Sequence, residues 1–136
     1  MNIALMAEDS KKELMVQFCI AYCGILAQHT ICATDATGRM VSEATGLQIH
    51  RYLSHALGGI QQIGARLTLN EIDMVLFFKD PKSDALFDDV NYIACLCDAN
   101  NIPFASNIAT AEVLIQGLKY GDLDGRDIVN PKAAKK

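Results

Sequence analysis

Short apolar segments alternate five times with stretches of helical periodicity, and this alternation constrains the 136-residue chain more than any other feature. Ile72 to Phe78 is the clearest apolar segment and stops at Lys79-Asp80-Pro81, and Asn2 to Ala7 is another; shorter strands are expected at Thr30 to Ala33, Gln48 to Tyr52 and Pro103 to Ser106. Apolar runs this short, without polar alternation, belong to strands covered on both faces. Between them, Ser10 opens a helix through a capping box with Glu13, and Leu14, Phe18, Tyr22, Ile25 and Leu26 continue it to about His29. Further helices run to about Ala44 before a Thr45-Gly46 stop, from Gly58-Gly59 to about Leu69, onward from Asp88-Asp89, and from Ala109 to Leu118. The pattern predicts a single three-layer, doubly wound α/β domain, with about five parallel strands joined by right-handed crossovers. It spans residues 1–120, and residues 121–136 form a C-terminal tail with solvated lysines.

With 51% hydrophobic residues and 21% charged, the chain is rich enough in apolar side chains for a real core. The formal charge of -4 argues against a nucleic-acid surface, which usually needs a basic face. No apolar run approaches the roughly 18 residues of a membrane span. The opening Met-Asn-Ile-Ala-Leu-Met-Ala lacks the charged start of a secretion signal, so a cytoplasmic protein without membrane partners is expected. Cys19, Cys23, Cys32, Cys95 and Cys97 are odd in number, lie in apolar segments and lack zinc-ribbon spacing. They are expected as reduced, largely buried thiols, with no metal site.

In open α/β sheets ligands gather at the carboxyl ends of the strands. There Tyr52 to Ala65 combines a Ser54-His55 lead-in, the Gly58-Gly59 pair and a following helix. This describes either a phosphate cradle at a helix N-terminus or a tight turn only. Thr34, Asp35 and Thr37 at the end of the second strand fit both phosphate binding and ordinary capping. Lys12 lies in a first turn, where a cation opposes the helix dipole unless an anion binds; simple solvation is the alternative. Asp9 and Asp80 fall on the same edge, and Asp89 begins a helix as acids commonly do.

Six segments together resemble the methylglyoxal synthase family. They are Ile3-Ala-Leu-Met-Ala-Glu-Asp-Ser-Lys-Lys12, Ala33-Thr-Asp-Ala-Thr-Gly38, Glu43-Ala-Thr-Gly46, Leu53-Ser-His-Ala-Leu-Gly-Gly-Ile-Gln-Gln-Ile-Gly-Ala65, Phe77-Phe-Lys-Asp-Pro81 and Asn101-Ile-Pro-Phe-Ala-Ser-Asn-Ile-Ala-Thr-Ala111. The resemblance implies a flavodoxin-like domain, assembled as a homohexamer, that binds a small phosphorylated metabolite. Active members convert dihydroxyacetone phosphate to methylglyoxal and phosphate without any cofactor. By resemblance Lys12, Thr34, Thr37 and Ser54, with the His55 and Gly58-Gly59 loop, fall where phosphate is held. Asp9, Asp80 and Asp89 fall on active-site carboxylates.

Several positions depart from the family pattern. The family's catalytic base follows its Gly-Gly pair as an aspartate; here that residue is Ile60, which cannot accept a proton. Phe87 stands in place of the histidine that polarises the substrate carbonyl, Glu8 replaces a histidine, His55 and Asp35 replace glycines, Ala36 a threonine and Cys95 an arginine. Loss of a general base costs about 100- to 10,000-fold in rate. Ile60 is also expected to put apolar bulk where the enediol would sit. The expected function is therefore anionic-ligand binding with the family activity lost or altered. Two alternatives are an active synthase using Asp35, Glu8 or His55 as base, Asp35 foremost, and a structural subunit of a mixed assembly.

Overall fold

The computed structural model describes residues 1–82, 88–121, 123 and 125. Five parallel strands, β1 (Asn2–Ala7), β2 (Thr30–Ala33), β3 (Ile49–Arg51), β4 (Met74–Phe78) and β5 (Phe104–Ala105), lie in the order β3-β2-β1-β4-β5. The helices are α1 (Lys12–Ala21), α2 (Cys23–Leu26), α3 (Asp35–Thr45), α4 (Gly59–Thr68), α5 (Asp89–Ala99) and α6 (Ile108–Lys119). The chain winds outward in one direction from β1 to β3 and in the other from β4 to β5. The direction changes between β1 and β4, whose register pairs Ala7 with Phe78 at the carboxyl end.

The period-2 geometry of a strand divides the core into two layers. Ile3, Leu5 and Ala7 of β1, with Met74, Leu76 and Phe78 of β4, face α1, α3 and α6. Ala4 and Met6, with Val75 and Phe77, face α4 and α5 through Ile60, Ile63, Leu67, Val90 and Ile93. All of these are under a tenth exposed, and each large one contributes about 1.5–3 kcal/mol by burial. This is the doubly wound α/β/α arrangement that the sequence pattern predicts, and the flavodoxin-like domain that the resemblance implies.

Local departures have physical reasons. The capping box does not form: Ser10 lies in a 3-10 turn over Asp9–Lys11, and its hydroxyl donates instead to Asp80 at 2.8 Å. The first helix breaks at Tyr22, whose ring packs against Phe18 at a 45° tilt with centroids 4.9 Å apart, and α2 is a separate turn. Strand β4 starts two residues later than expected because Asp73 is engaged at the sheet's other end. Its N–H donates to the Asn2 carbonyl at 2.7 Å, and its carboxylate accepts the Asn2 N–H at 2.8 Å. Cys19, Cys32 and Cys97 are buried, whereas Cys95 is exposed. No helix among the described residues is long and apolar enough to cross a membrane. The tail beyond residue 121 lies outside the described residues apart from 123 and 125, and so does Phe87.

Candidate functional site

Beyond Ala7 the chain passes through Glu8 into the 3-10 turn, and Lys12 folds back over the end of β1. Its Nζ donates to the Ala7 carbonyl at 3.0 Å and to the Asp9 carboxylate at 2.7 Å. The Lys12 side chain is 17% exposed, while that of Asp9 stands fully in solvent. Hydrogen bonding and charge from Lys12 hold the Asp9 carboxyl below its usual range, and the imidazole of His55 adds to the same effect. The end of β4 and the residues after it are tied to this turn, the Glu8 N–H donating to the Phe78 carbonyl at 3.0 Å. The Asp80 N–H donates to the Glu8 carboxylate at 2.8 Å, and the Asp80 carboxylate accepts from Lys82 N–H at 2.9 Å and from Ser10. Those two donors, the Lys82 N–H first, lower the Asp80 carboxyl.

Strand β2 delivers Thr34 and Thr37 to the start of α3, where they are 6% and 1% exposed. Thr34 occupies the N-cap in extended geometry, yet no side chain caps this end. The Thr37 Oγ1 is buried without a hydrogen-bond partner among the described residues. Asp35 turns elsewhere, with Oδ1 3.8 Å from Arg51 Nη1, both groups roughly half exposed. Asp35, Arg51, Ser54 and Gln62 border a cleft of ≈ 560 Å³.

After β3, Ser54 opens the 3-10 turn His55–Leu57, again without a side-chain cap. Gly58 follows with φ of 102°, left-handed backbone that suits glycine. The Gly59 N–H donates to the Ser54 carbonyl at 3.0 Å, and a Cβ on Gly59 would lie 1.9 Å from the Leu53 carbonyl oxygen. The loop therefore closes on itself only with glycine at 59. Ile60 departs from expectation: its side chain is 1% exposed and lies in the layer with Met6, Phe77 and Val90. An apolar group in the first turn of α4 is drawn under the loop by burial, so its bulk lies in the core.

Across the switch point, Asp88 caps α5 by accepting from Val90 and Asn91 N–H, and its other oxygen accepts from Lys79 Nζ at 2.8 Å. The Lys79 contact, ahead of the backbone donors, lowers the Asp88 carboxyl and raises Lys79. Beside it Asp89 Oδ2 is hydrogen-bonded to His55 Nε2, across 34 positions of sequence. The structure thus brings Asp9, Lys12, His55 and Asp89 into one electrostatic neighbourhood, with Asp80 alongside through Ser10 and Glu8. Asp35 pairs outward with Arg51.

Capping separates the helices by side of the sheet. Those following β4 and β5 are capped by Asp88 and by Asn107, which accepts from Thr110 N–H at 2.9 Å. Those following β1, β2 and β3 have no side-chain cap, which leaves first-turn N–H groups for other acceptors. The Lys79–Asp88 and Glu8–Asp80 contacts escaped the sequence reading, because no periodicity links residues from different loops. Among the described residues, no group of three or more His, Cys, Asp or Glu is arranged to hold a metal.

A family profile described as MGS-like domain matches residues 15–106. The chain is 58% identical to the methylglyoxal synthase of Caldicellulosiruptor saccharolyticus over 99% of its own length and 96% of that protein. It is 49% identical to the methylglyoxal synthase of Oceanobacillus iheyensis, over 99% and 97% respectively. The crystal structure of methylglyoxal synthase from Elizabethkingia anophelis superposes with a TM-score of 0.79 at 37% identity, covering 84% of this chain and 76% of that one.

Proposed function

We propose that this chain, which belongs to the methylglyoxal synthase family, binds a small phosphorylated metabolite at the carboxyl edge of its sheet, with the family's usual proton abstraction from position 60 lost. The observation that carries the reading is the Thr37 hydroxyl, buried and unpartnered in the uncapped first turn of α3. A buried hydroxyl left unpaired costs about 1–3 kcal/mol, which a phosphate oxygen would relieve. The same oxygen cluster would accept from first-turn N–H groups, and the Lys12 ammonium supplies a cation at the end of β1. Position 60 offers no group for proton transfer, since Ile60 is aliphatic and faces the core. Assembly as a homohexamer belongs to the same reading by family likeness.

Thermal unfolding with dihydroxyacetone phosphate and with inorganic phosphate tests ligand binding. A ligand at 100 times its Kd stabilises by about 2.7 kcal/mol. Absence of any shift with either anion would sink the reading.

A second reading, an active lyase with a substitute base, gains support from one contact. Of the three candidate bases, Asp35 faces Arg51 and Glu8 holds the Asp80 backbone, whereas His55 is oriented by a carboxylate.

A further inference from the structure

We infer that His55 and Asp89 form a proton-transfer pair, with His55 the catalytic base toward a phosphorylated α-hydroxy ketone and Asp89 its positioning residue. The inference rests on the phosphorylated-ligand reading above and adds a chemistry that Ile60 cannot supply.

The two ring nitrogens of His55 stand in different surroundings. An ionised carboxylate can only accept, so the bond from His55 Nε2 to Asp89 Oδ2 puts the proton of a neutral imidazole on Nε2. Nδ1 is left with its lone pair, and it has no hydrogen-bond partner among the described residues. A base whose far nitrogen is fixed by a carboxylate has its tautomer set, and the imidazolium formed on protonation is stabilised where it stands. The His55 side chain is 49% exposed, so the ring remains open to a ligand.

Placement supports the same conclusion. His55 follows Ser54 directly and precedes Gly58-Gly59 in the loop after β3, while Asp89 lies in the first turn of the helix after β4. The pair therefore bridges the two sides of the switch point. Asp9 is close enough for the imidazole to influence its ionisation, and Asp9 is itself held by Lys12. Lys12, Thr37 and His55 follow β1, β2 and β3, three neighbouring strands, at the same carboxyl edge of the sheet.

The step balances without a co-reactant. Nδ1 takes a proton from the hydroxyl-bearing carbon next to the carbonyl; the C–H pair becomes the C=C bond of an enediolate, and the carbonyl π pair moves onto oxygen. The hydroxyl oxygen then forms an aldehyde C=O and its proton leaves with phosphate. The enediolate π pair shifts to the adjoining C–C bond as the C–O bond to phosphate breaks. The imidazolium proton finally returns to the terminal carbon of the enolate, giving the 2-oxoaldehyde.

The test incubates the full chain with dihydroxyacetone phosphate in D2O, following deuterium uptake at carbon by NMR alongside phosphate release and ligand-induced thermal stabilisation. Expected is deuterium uptake above the uncatalysed rate in the parent, reduced by about 100- to 10,000-fold in His55→Gln. Asp89→Asn should lower kcat to a similar degree with KM little changed, because an amide reverses the tautomer. Asp89→Glu should recover part of the rate, which a merely structural role for Asp89 would not predict. Stabilisation by the ligand without deuterium uptake in the parent, or undiminished uptake in His55→Gln, overturns the pair and leaves the binding reading intact. Absence of both stabilisation and uptake overturns the binding reading on which the pair depends.

Discussion

The Asp88 carboxylate joins two jobs, capping the first turn of α5 with one oxygen and accepting from Lys79 Nζ at 2.8 Å with the other. Its pKa is lowered chiefly by Lys79, so in the folded state it ionises at lower pH than in the unfolded chain. The stabilisation is complete above the unfolded carboxylate range near ~3.9 and fades as pH falls through the lower folded value. Asp88→Ala should cost about 0.5–2 kcal/mol at neutral pH through the lost cap. Chemical denaturation at neutral and acid pH checks both parts: the variant's deficit should shrink on acidification.

Gly59 is fixed by contact, since its Cβ would lie 1.9 Å from the Leu53 carbonyl oxygen. Backbone cannot move aside as a flexible side chain does. Gly59→Ala should destabilise by about 3 kcal/mol and open the loop that carries Ser54 and His55. Thermal unfolding reads the first effect, and loss of phosphate-induced stabilisation reads the second.

Burial at position 60 sets the cost of placing a carboxylate there. Placing a carboxylate there by Ile60→Asp looks like a route to activity, yet the position is 1% exposed and belongs to the buried layer that holds Met6, Phe77 and Val90. Deleting the buried aliphatic costs about 2–5 kcal/mol by analogy with truncation to alanine. Desolvating a carboxylate adds to that. A marked fall in the unfolding midpoint is expected, against about 0.5–1.5 kcal/mol for Ile60→Val. An Ile60→Asp chain as stable as the parent would mean that the start of α4 readily turns outward.

The contrast shows what the sequence made legible. Uninterrupted apolar runs such as Met74 to Phe78 fix the buried parallel strands, because no other element covers both faces of so short a segment. The loops at the carboxyl edge could likewise be located, since they follow the strand ends. What could not be read is how side chains from separate loops pair. Nothing in the spacing of His55 and Asp89, or of Glu8 and Asp80, distinguishes a contact from two solvated groups. Ser10 and Glu13 match a capping box in letters, but Asp80, seventy residues away, competes for the hydroxyl. Inward or outward direction at Ile60 likewise depends on Phe77 and Val90, which arrive from other elements.

Thiol chemistry should follow burial. Cys19 and Cys32 are both pushed up to about 12 by desolvation, so their thiolate fraction at neutral pH is very small. Cys95 is exposed on α5. An aromatic disulfide reagent at pH 8 should label Cys95 in the native protein first and reach Cys19 and Cys32 only with denaturant. Fast labelling of Cys32 under native conditions would contradict its placement against the α4 side of the sheet.

Thr37 offers the sharpest separation of binding from folding, because its hydroxyl is buried and unpaired while its methyl is packed. Replacing an unsatisfied polar group by an apolar one of similar shape removes a desolvation cost and forfeits no internal bond. Thr37→Val should therefore be as stable as the parent or slightly more stable when no anion is present. If the hydroxyl serves a phosphate oxygen, the variant loses a charge-assisted hydrogen bond, worth about 1.5–3 kcal/mol. Its Kd for inorganic phosphate or dihydroxyacetone phosphate should then rise about 10- to 150-fold by the usual conversion of free energy to affinity. Calorimetric titration of parent, Thr37→Ser and Thr37→Val decides the matter: serine should bind nearly as the parent does. Equal affinity in the valine variant would remove Thr37 from the anion site.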